Sequence, residues 1–369
     1  MSKPRKIVLI LGNGFDLDLG LKTSYKNFWE SEYCPKDYPA PIIKHLNSLN
    51  DDLSRIRWCD LENELLKYVK EGDKTDIISD EEQKYIKEND DYRLYNNAFF
   101  LGTDDPFRSL LNKGLIVQKG LGVRLLYRND LLNSVQWRDK EALLLIENRL
   151  RDYLGQNQSV DINRDSSACR VLISLLNEHD AGSKVELFSF NYTDLSLLQR
   201  DSTDIPVQYM HGSCKDGHII VGTRYDKGVG RDYDFLFKTI DADYHPPRII
   251  DSINDADEVI IFGHSFGEND QPYFVDLFKD QLKNYQTHRK DVVIFTLDQE
   301  SEQNIKRALD VMIDGQSMRL MTVNPPTIIK TSNLTGKDGW LFKDFLVKHG
   351  MESHDAEVVI GNILKKQAV

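Results

Sequence analysis

The chain alternates between short apolar runs and longer stretches in which apolar residues recur at helical spacing. Its first run, residues 6–11, is almost wholly apolar and rich in β-branched side chains, which indicates a strand buried on both faces. Later runs that also predict strands cover residues 184–190, 207–210, 218–222, 258–262, 291–298 and 327–330. Because strands that alternate with helices form parallel sheets covered on both faces, the pattern predicts an α/β fold with a Rossmann-like parallel sheet.

A long, strongly charged stretch interrupts this alternation between the first and second predicted strands. Its Leu, Tyr and Phe residues recur at helical spacing, and residues 124–154 predict either one long helix or two. Almost nothing in the stretch predicts a strand. We therefore expect a single domain, residues 1–369, interrupted by a large α-helical insertion at about residues 30–180.

Composition excludes several classes of protein. The net charge of −12 argues against broad binding to nucleic acid, which needs a basic surface. No stretch approaches the roughly 20 apolar residues of a membrane span, and the N-terminus lacks the pattern of a signal peptide. The cysteines are scattered without a C-x-x-C pair, which favours reduced thiols over a disulfide or zinc framework. We expect a cytoplasmic protein with no metal and no membrane contact.

The first strand runs directly into Gly12-Asn13-Gly14. Glycine tolerates positive φ and close approach of another molecule, and nucleotide-binding α/β folds bind phosphate on the backbone N–H groups of such a loop. A plain strand-to-helix turn is the alternative, since tight turns also favour glycine. Leu17 stands where the third glycine of a G-x-G-x-x-G pattern would be, so the dinucleotide fingerprint is incomplete.

Three further predicted strands end in polar or small residues. These ends are Asn191-Tyr192-Thr193-Asp194, His211-Gly212-Ser213 and Gly263-His264-Ser265. Each end alone has an ordinary reading, because an Asn caps helices, a His packs inside cores and an Asp sits in turns. In a parallel sheet, however, all of them meet the glycine loop at one carboxyl edge, where ligands bind. Their joint placement predicts a ligand site.

The same residues carry a resemblance to a known family. The stretch 12–17, followed by Gly20-Leu21-Lys22-Thr23-Ser24-Tyr25, resembles the opening of the AbiH family of bacterial abortive-infection proteins. Trp58-Cys59-Asp60-Leu61-Glu62 and the three strand ends are similar to later blocks of that family, so the resemblance spans about residues 7–275. It implies an anti-phage effector that responds to a phage protein or another trigger, and the helical insertion would mediate any homo-oligomer.

The order of these blocks is also similar to that of sirtuin-like (SIR2) NAD-binding proteins. That resemblance implies NAD as ligand or substrate and a catalytic role for Asn191 and His211. Three departures stand out: Asn13 lies between the glycines, Thr193 replaces a common acidic residue, and a zinc-binding cysteine quartet is lacking. The last departure argues against deacylation of acetyl-lysine.

An NAD glycohydrolase mechanism fits these residues. Cleavage of the nicotinamide–ribose bond builds positive charge on the ribose, so the site must hold the pyrophosphate, orient the ribose and position a water. Asn191 would place the water or ribose hydroxyls, and His211 would act as general base. The expected nucleotide-binding residues are Gly12, Asn13, Gly14, Phe15, Asp16, Thr23, Asp194, Gly263, His264, Ser265 and Asp270.

Two other functions are consistent with the sequence. Gly263-His264-Ser265-Phe266-Gly267 fits the G-x-S-x-G elbow of a serine hydrolase, with Asp298 and either His349 or His354 as partners. The delay between Ser265 and the next predicted helix argues against it, as does the lack of a role for Asn191 and His211. Alternatively, the sheet edge binds a nucleotide without turnover and the insertion contacts a partner.

Overall fold

A computed structural model describes residues 4–49, 61–71, 116–119, 122–125, 128–157, 162–198, 205–284, 287 and 289–367. The chain divides into two compact units, which are described separately. The first comprises Met1–Phe28, Arg151–Ile220 and Asp243–Val369, and the second comprises Trp29–Leu150 and Val221–Ala242. The expected single domain and its insertion bounds remain predictions, while the helix Ser167–Asp180 falls in the first unit.

The first unit is built on a six-stranded parallel sheet, which confirms the predicted α/β fold. Its strands are β1 (Lys6–Leu11), β4 (Lys184–Ser189), β5 (Val207–Tyr209), β8 (Glu258–Phe262), β9 (Asp291–Thr296) and β10 (Thr327–Lys330). Their order across the sheet is β5-β4-β1-β8-β9-β10. Numbered along the chain among themselves, these strands run 3-2-1-4-5-6, the order of dinucleotide-binding folds.

Strand β1 lies at the centre of the sheet and is buried on both faces. Its residue Leu9 pairs with Leu187 of β4 on one side and Ile260 of β8 on the other. Because successive side chains in a strand point to opposite faces, Ile7, Leu9 and Leu11 join one hydrophobic core while Val8 and Ile10 join another. Both faces are therefore covered, as the continuous apolar run predicted.

The described residues of both units also contain α-helices. Their bounds are Asn13–Asp18, Tyr25–Glu30, Pro41–Ser48, Leu61–Glu71, Arg128–Asn157, Ser167–Asp180, Ile249–Asp255, Val275–Lys283, Gln299–Met312, Ser317–Val323, Gly336–Lys348 and Ser353–Gln367. Short 3₁₀ turns occupy Leu195–Leu198, Arg231–Leu236, Lys238–Ile240 and Gln271–Tyr273. Within these described residues, no helix is long and apolar enough to cross a bilayer.

Two small antiparallel hairpins lie outside the main sheet. One pairs β2 (Ile116–Lys119) with β3 (Gly122–Leu125), in a stretch where the sequence predicted almost no strand. The other pairs β6 (Gly212–Ser213) with β7 (His218–Ile219). The apolar run at 218–222 therefore forms a hairpin strand and not a strand of the main sheet.

The second unit has a buried polar centre on its long helix. The Asp139 carboxylate accepts hydrogen bonds from the Ile42 amide (2.9 Å) and from the hydroxyls of Tyr68 (2.6 Å) and Tyr233 (2.9 Å). The carboxylate thus ties the helix to three other segments of that unit, and each donor offsets part of the cost of burying its charge. The helix runs unbroken over Arg128–Asn157, the first of the two alternatives expected there.

Candidate functional site

Two loops cross in direct backbone contact at the carboxyl edge between β1 and β8. The Gly12 amide donates to Phe262 O and the Gly14 amide to Gly263 O, both at 2.9 Å. A Cβ on Gly14 would lie 2.6 Å from Gly263 Cα, and Gly263 itself has φ +67°. These glycines are therefore required by the crossing, and the two N–H groups expected to hold phosphate already donate to carbonyls.

Asn13, between the glycines, begins the helix that follows the crossing. Its Oδ1 accepts a hydrogen bond from the Thr23 hydroxyl at 2.7 Å. Its Nδ2 is buried and has no hydrogen-bond partner in the described part of the chain. A buried amide nitrogen without a partner is costly, so Asn13 offers a donor that a ligand oxygen would satisfy.

A buried polar cluster joins the first loop to the end of β4. Asn191 Nδ2 donates to Gly12 O and to Asp16 Oδ1, both at 2.9 Å, and the Thr193 hydroxyl donates to Asp16 Oδ2. Since an amide nitrogen carries only two N–H groups, both donors of Asn191 are used in holding this loop. The side-chain carbonyl oxygen of Asn191 is the group that remains for contact with a ligand or water.

Asp16 is a perturbed acid at the centre of this cluster. Burial raises its pKa from 3.8 to about 7, although the hydrogen bonds from Thr193 and Asn191 act to lower it. A carboxyl group with a pKa near neutrality exchanges its proton at physiological pH, and such groups concentrate at functional sites.

Asp270 lies between two buried histidines at the same edge. Its Oδ1 is 3.5 Å from His211 Nε2 and its Oδ2 is 3.4 Å from His264 Nε2. Burial alone would raise the pKa of Asp270, but the hydrogen bonds from the two imidazoles, and their positive charge when protonated, outweigh burial and hold its pKa well below the usual range. Asp270 is therefore ionised, and both rings face a negative charge.

Aromatic rings fix the positions of these histidines. Phe190 contacts His264 edge-on with ring centroids 4.5 Å apart and His211 at 5.6 Å. The ring of Tyr244 also lies near His211, nearly parallel to it at 6.3 Å, and the Tyr244 hydroxyl pairs with that of Tyr273 at 2.9 Å. The imidazole of His211 is thus near two aromatic rings.

A groove of about 430 Å³ is lined by Met210 and Gly212, the chain neighbours of His211, but not by His211 itself. It is lined by Val207, Tyr209, Met210, Gly212, Asp216, His218, Ile220, Asp243, Tyr244 and His245. None of these described lining residues is a lysine or arginine. Burial raises the pKa of Tyr209, and the nearby carboxylates of Asp194 and Asp216 raise it further.

The region that contains these residues matches a known protein family. The family model described as bacteriophage abortive infection AbiH matches residues 8–291, well over half of the chain. The chain belongs to the AbiH family. Comparisons with curated proteins and with solved structures found no match. The matched region contains the glycine crossing, Asn191, His211 and Asp270, and its family places the chain in phage abortive infection.

The remaining predicted residues of this AbiH-family chain lie at the same edge, with different surroundings. Phe15 is buried, and its ring packs edge-on against Phe262. Asp194 accepts a hydrogen bond from the Ser196 amide at 2.9 Å, as a turn residue does. Ser265 is exposed. Trp58, Cys59 and Asp60, which carried part of the family resemblance, lie outside the described residues.

The geometry does not assemble a serine hydrolase triad. His349 Nε2 lies 3.4 Å from Glu258 Oε2, and Glu258 begins the five-residue strand whose far end leads to Ser265, roughly 17 Å away at strand geometry. Asp298 instead caps the next helix by accepting from the Ser301 amide at 2.8 Å. The positive φ of +56° belongs to Phe266 and not to Ser265.

Sequence reasoning missed several residues that shape the site. Thr193 was recognised only as a departure from the sirtuin pattern, although its hydroxyl is a donor to Asp16. Phe190, Tyr244 and Phe266 were assigned no role in the site, because aromatic residues near strand ends are ordinary core residues. A polar residue directly after each predicted strand was the available signal, and it identified Asn191 and His211.

Proposed function

We propose that this AbiH-family protein binds NAD or a related nucleotide at the carboxyl edge of its sheet and hydrolyses the nicotinamide–ribose bond. Depletion of NAD in an infected cell would then be the means by which it aborts phage infection. The observation that supports the proposal is the convergence of Asn191, Asp16, His211 and Asp270 from separate segments onto one edge of a sheet with dinucleotide-fold strand order.

The charge of the groove favours the nicotinamide end of the ligand over its pyrophosphate. The pyridinium ring of NAD is a cation, and cations bind to aromatic faces and carboxylates. Tyr209, Tyr244 and Asp216 offer those groups in the groove. The Gly12 and Gly14 amides are engaged with backbone carbonyls, so the Asn13 amide nitrogen is the donor we propose for a phosphate or ribose oxygen.

The reaction needs a water and a proton acceptor. Nicotinamide leaves with the electron pair of its bond to the ribose, the ribose carbon bonds to the water oxygen, and one proton is released. We propose that His211 takes this proton, a step typically worth ~10²–10⁴-fold. The carbonyl oxygen of Asn191 would orient the water, and the carboxylate of Asp270 would favour positive charge on the ribose.

The experiment that tests this proposal measures nicotinamide release from NAD by the purified chain. We expect release by the parent and a loss of about 10²-fold or more in His211→Ala and Asn191→Ala. His179→Gln, which changes an exposed histidine outside the site, is the matched control. Since the enzyme can require a trigger, NAD is also measured in phage-challenged cells that express each variant.

The outcomes separate the alternatives. NAD loss in challenged cells with the parent and His179→Gln, but not with His211→Ala, supports the proposal. Protection against phage with unchanged NAD in both assays overturns it. Tight NAD binding without nicotinamide release in either assay indicates the nucleotide-binding module without turnover.

A further inference from the structure

The carboxylate of Asp270 meets two imidazoles, and this arrangement has a consequence for the chemistry of His211. We propose that Asp270 is a positioning residue that accepts the Nε2–H of His211, so that the neutral ring carries its lone pair on Nδ1, while His264 holds Asp270 in place. The proposal deepens the proposed function and rests on it for the role of His211. It replaces the ribose or phosphate contact that the sequence suggested for Asp270.

The first step of the argument is the donor count around the carboxylate. An ionised carboxylate only accepts hydrogen bonds, and each Asp270 oxygen faces one Nε2, at 3.5 Å for His211 and 3.4 Å for His264. Both Nε2 atoms must therefore carry hydrogen when they bond to it. Hydrogen bonds of catalytic groups are often this long without a bound ligand and shorten when one binds.

The second step fixes the tautomer of His264 independently. The Phe266 amide donates to His264 Nδ1 at 3.0 Å, so this nitrogen is an acceptor and the proton of the neutral ring lies on Nε2. Phe266 adopts φ +56° and is buried, with its ring edge-on to Phe274 and Phe278. This φ is unfavourable for a non-glycine residue, and here that backbone conformation presents the amide to His264.

The third step concerns the loop that carries Asp270. The Asp270 amide donates to Gly267 O at 2.9 Å, and the Tyr273 amide donates to Asp270 O at 3.1 Å. Asp270 thus lies within a hydrogen-bonded turn that orients its side chain between the imidazoles. Its two oxygens face protein groups, and its negative charge would repel a phosphate.

The experiment uses Asp270→Asn in the full chain with histidine rings labelled by ¹⁵N. An asparagine has one acceptor oxygen and one donor NH₂. Because His264 remains an Nε2–H donor to that oxygen, the NH₂ must face His211 and force its proton onto Nδ1. We expect the ¹⁵N shifts of His211 to reverse between the two ring nitrogens, while those of His264 stay unchanged.

A double variant is the matched control. In His264→Phe with Asp270→Asn, no histidine competes for the asparagine oxygen, so it can accept from His211 Nε2–H and the parent tautomer should return. Nicotinamide release should fall about 10²–10⁴-fold in kcat, with little change in KM, in the single variant and recover in part in the double variant. Circular dichroism melts confirm that each variant folds.

The outcomes distinguish this inference from the proposed function. An unchanged His211 tautomer in Asp270→Asn, or a reversed one that the double variant does not restore, overturns the positioning role whatever the activity. A reversal and restoration of the tautomer supports it even where the parent chain releases no nicotinamide, since the ring shifts require no turnover.

Discussion

At the scale of single residues, Asp16 links the site to stability. Burial raises its pKa from 3.8 to about 7, so between those values the folded chain binds a proton that the unfolded chain has lost. Stability from this group therefore falls as pH rises through the same window. In Asp16→Asn, the decrease in unfolding free energy across this pH window should be smaller by roughly 1–4 kcal/mol. Urea unfolding at several pH values measures it.

The control for Asp16 is Asp251→Asn, which changes an exposed carboxyl in the first turn of the helix Ile249–Asp255. It should leave the pH dependence of unfolding as in the parent. Equal slopes for the parent and Asp16→Asn would show that the folded-state pKa of Asp16 is ordinary.

Thr193 is expected to tune the same carboxyl. Its hydroxyl donates to Asp16, and that hydrogen bond lowers the Asp16 pKa against the effect of burial. Thr193→Val keeps the shape of the side chain and removes the donor, so the pKa of Asp16 should move above its parent value. Titration of the Asp16 carboxyl ¹³C shift measures this directly. A lower pKa in the variant would contradict the hydrogen-bond assignment.

At the scale of elements, the two loops after β1 and β8 cross in close backbone contact at the site. A Cβ on Gly263 would lie 2.4 Å from Phe15 N, and the residue has φ +67°. Gly263→Ala must therefore separate the loops, and we expect a loss of about 3 kcal/mol or more in unfolding free energy. Denaturant unfolding measures it, together with loss of any NAD binding.

Gly267→Ala is the matched control for this crossing. Gly267 lies in the same loop, but a Cβ there would meet only Ser265 Oγ at 4.0 Å and its φ is not in the left-handed region. Its cost should stay within about 0.5 kcal/mol of the parent. Similar losses in both variants would mean that the loop as a whole, and not the crossing, is sensitive.

The elements were predictable where one physical pattern dominated. Residues 258–262 and 327–330 predicted strands with the bounds that the structure has. The run 259–262 is apolar throughout, as is typical of a strand buried on both faces, whereas β10 is an edge strand in which only Ile329 is buried. The helix Pro41–Ser48 lies within the range of the predicted helical insertion and begins at Pro41, because proline is well tolerated at the first helical position. The paired strands β2 and β3 had no comparable apolar signal.

The site was predictable in position but not in its contacts. The polar residue after each parallel strand placed Asn191 and His211 at one edge, because parallel strands end together. Which donor meets which acceptor depends on side-chain directions in three dimensions, so the pairing of Asp270 with two histidines could not be derived. The glycines were assigned to a phosphate, whereas close approach of the β8 loop requires the same residues.

At the scale of the whole molecule, the two edges of the sheet carry different chemistry. At the amino edge, buried Glu258 accepts from Arg5 at 2.6 Å and from Lys348 at 2.7 Å, and its Oε2 lies 3.4 Å from His349 Nε2. This ionic cluster joins β8 to the N-terminal segment and to the end of the helix Gly336–Lys348. The candidate site occupies the opposite, carboxyl edge of the same strand.

We therefore expect Glu258→Gln to separate stability from activity. Burial would raise the pKa of Glu258, but His349 and Lys348 outweigh it and hold the pKa below the usual 4.5. A carboxyl group whose pKa is lower in the folded chain stabilises the fold at pH values above its unfolded-state pKa. That contribution is lost as the pH falls through its folded-state pKa. At neutral pH the variant should lose roughly 1–3 kcal/mol, since a buried amide replaces the charged acceptor of Arg5 and Lys348, and this difference should shrink in acid.

The measurement pairs unfolding curves with nicotinamide release well below the melting temperature. Glu258→Gln should unfold at a lower denaturant concentration yet release nicotinamide at the parent rate. Its contacts lie at the amino edge of the sheet, and the length of β8, roughly 17 Å, separates them from the carboxyl edge where His211 lies. Glu352→Gln, an exposed glutamate, is the control and should change neither quantity. A loss of activity in folded Glu258→Gln would mean that the amino-edge cluster is coupled to the site through β8. The assignment of stability to the amino edge and of activity to the carboxyl edge would then be wrong.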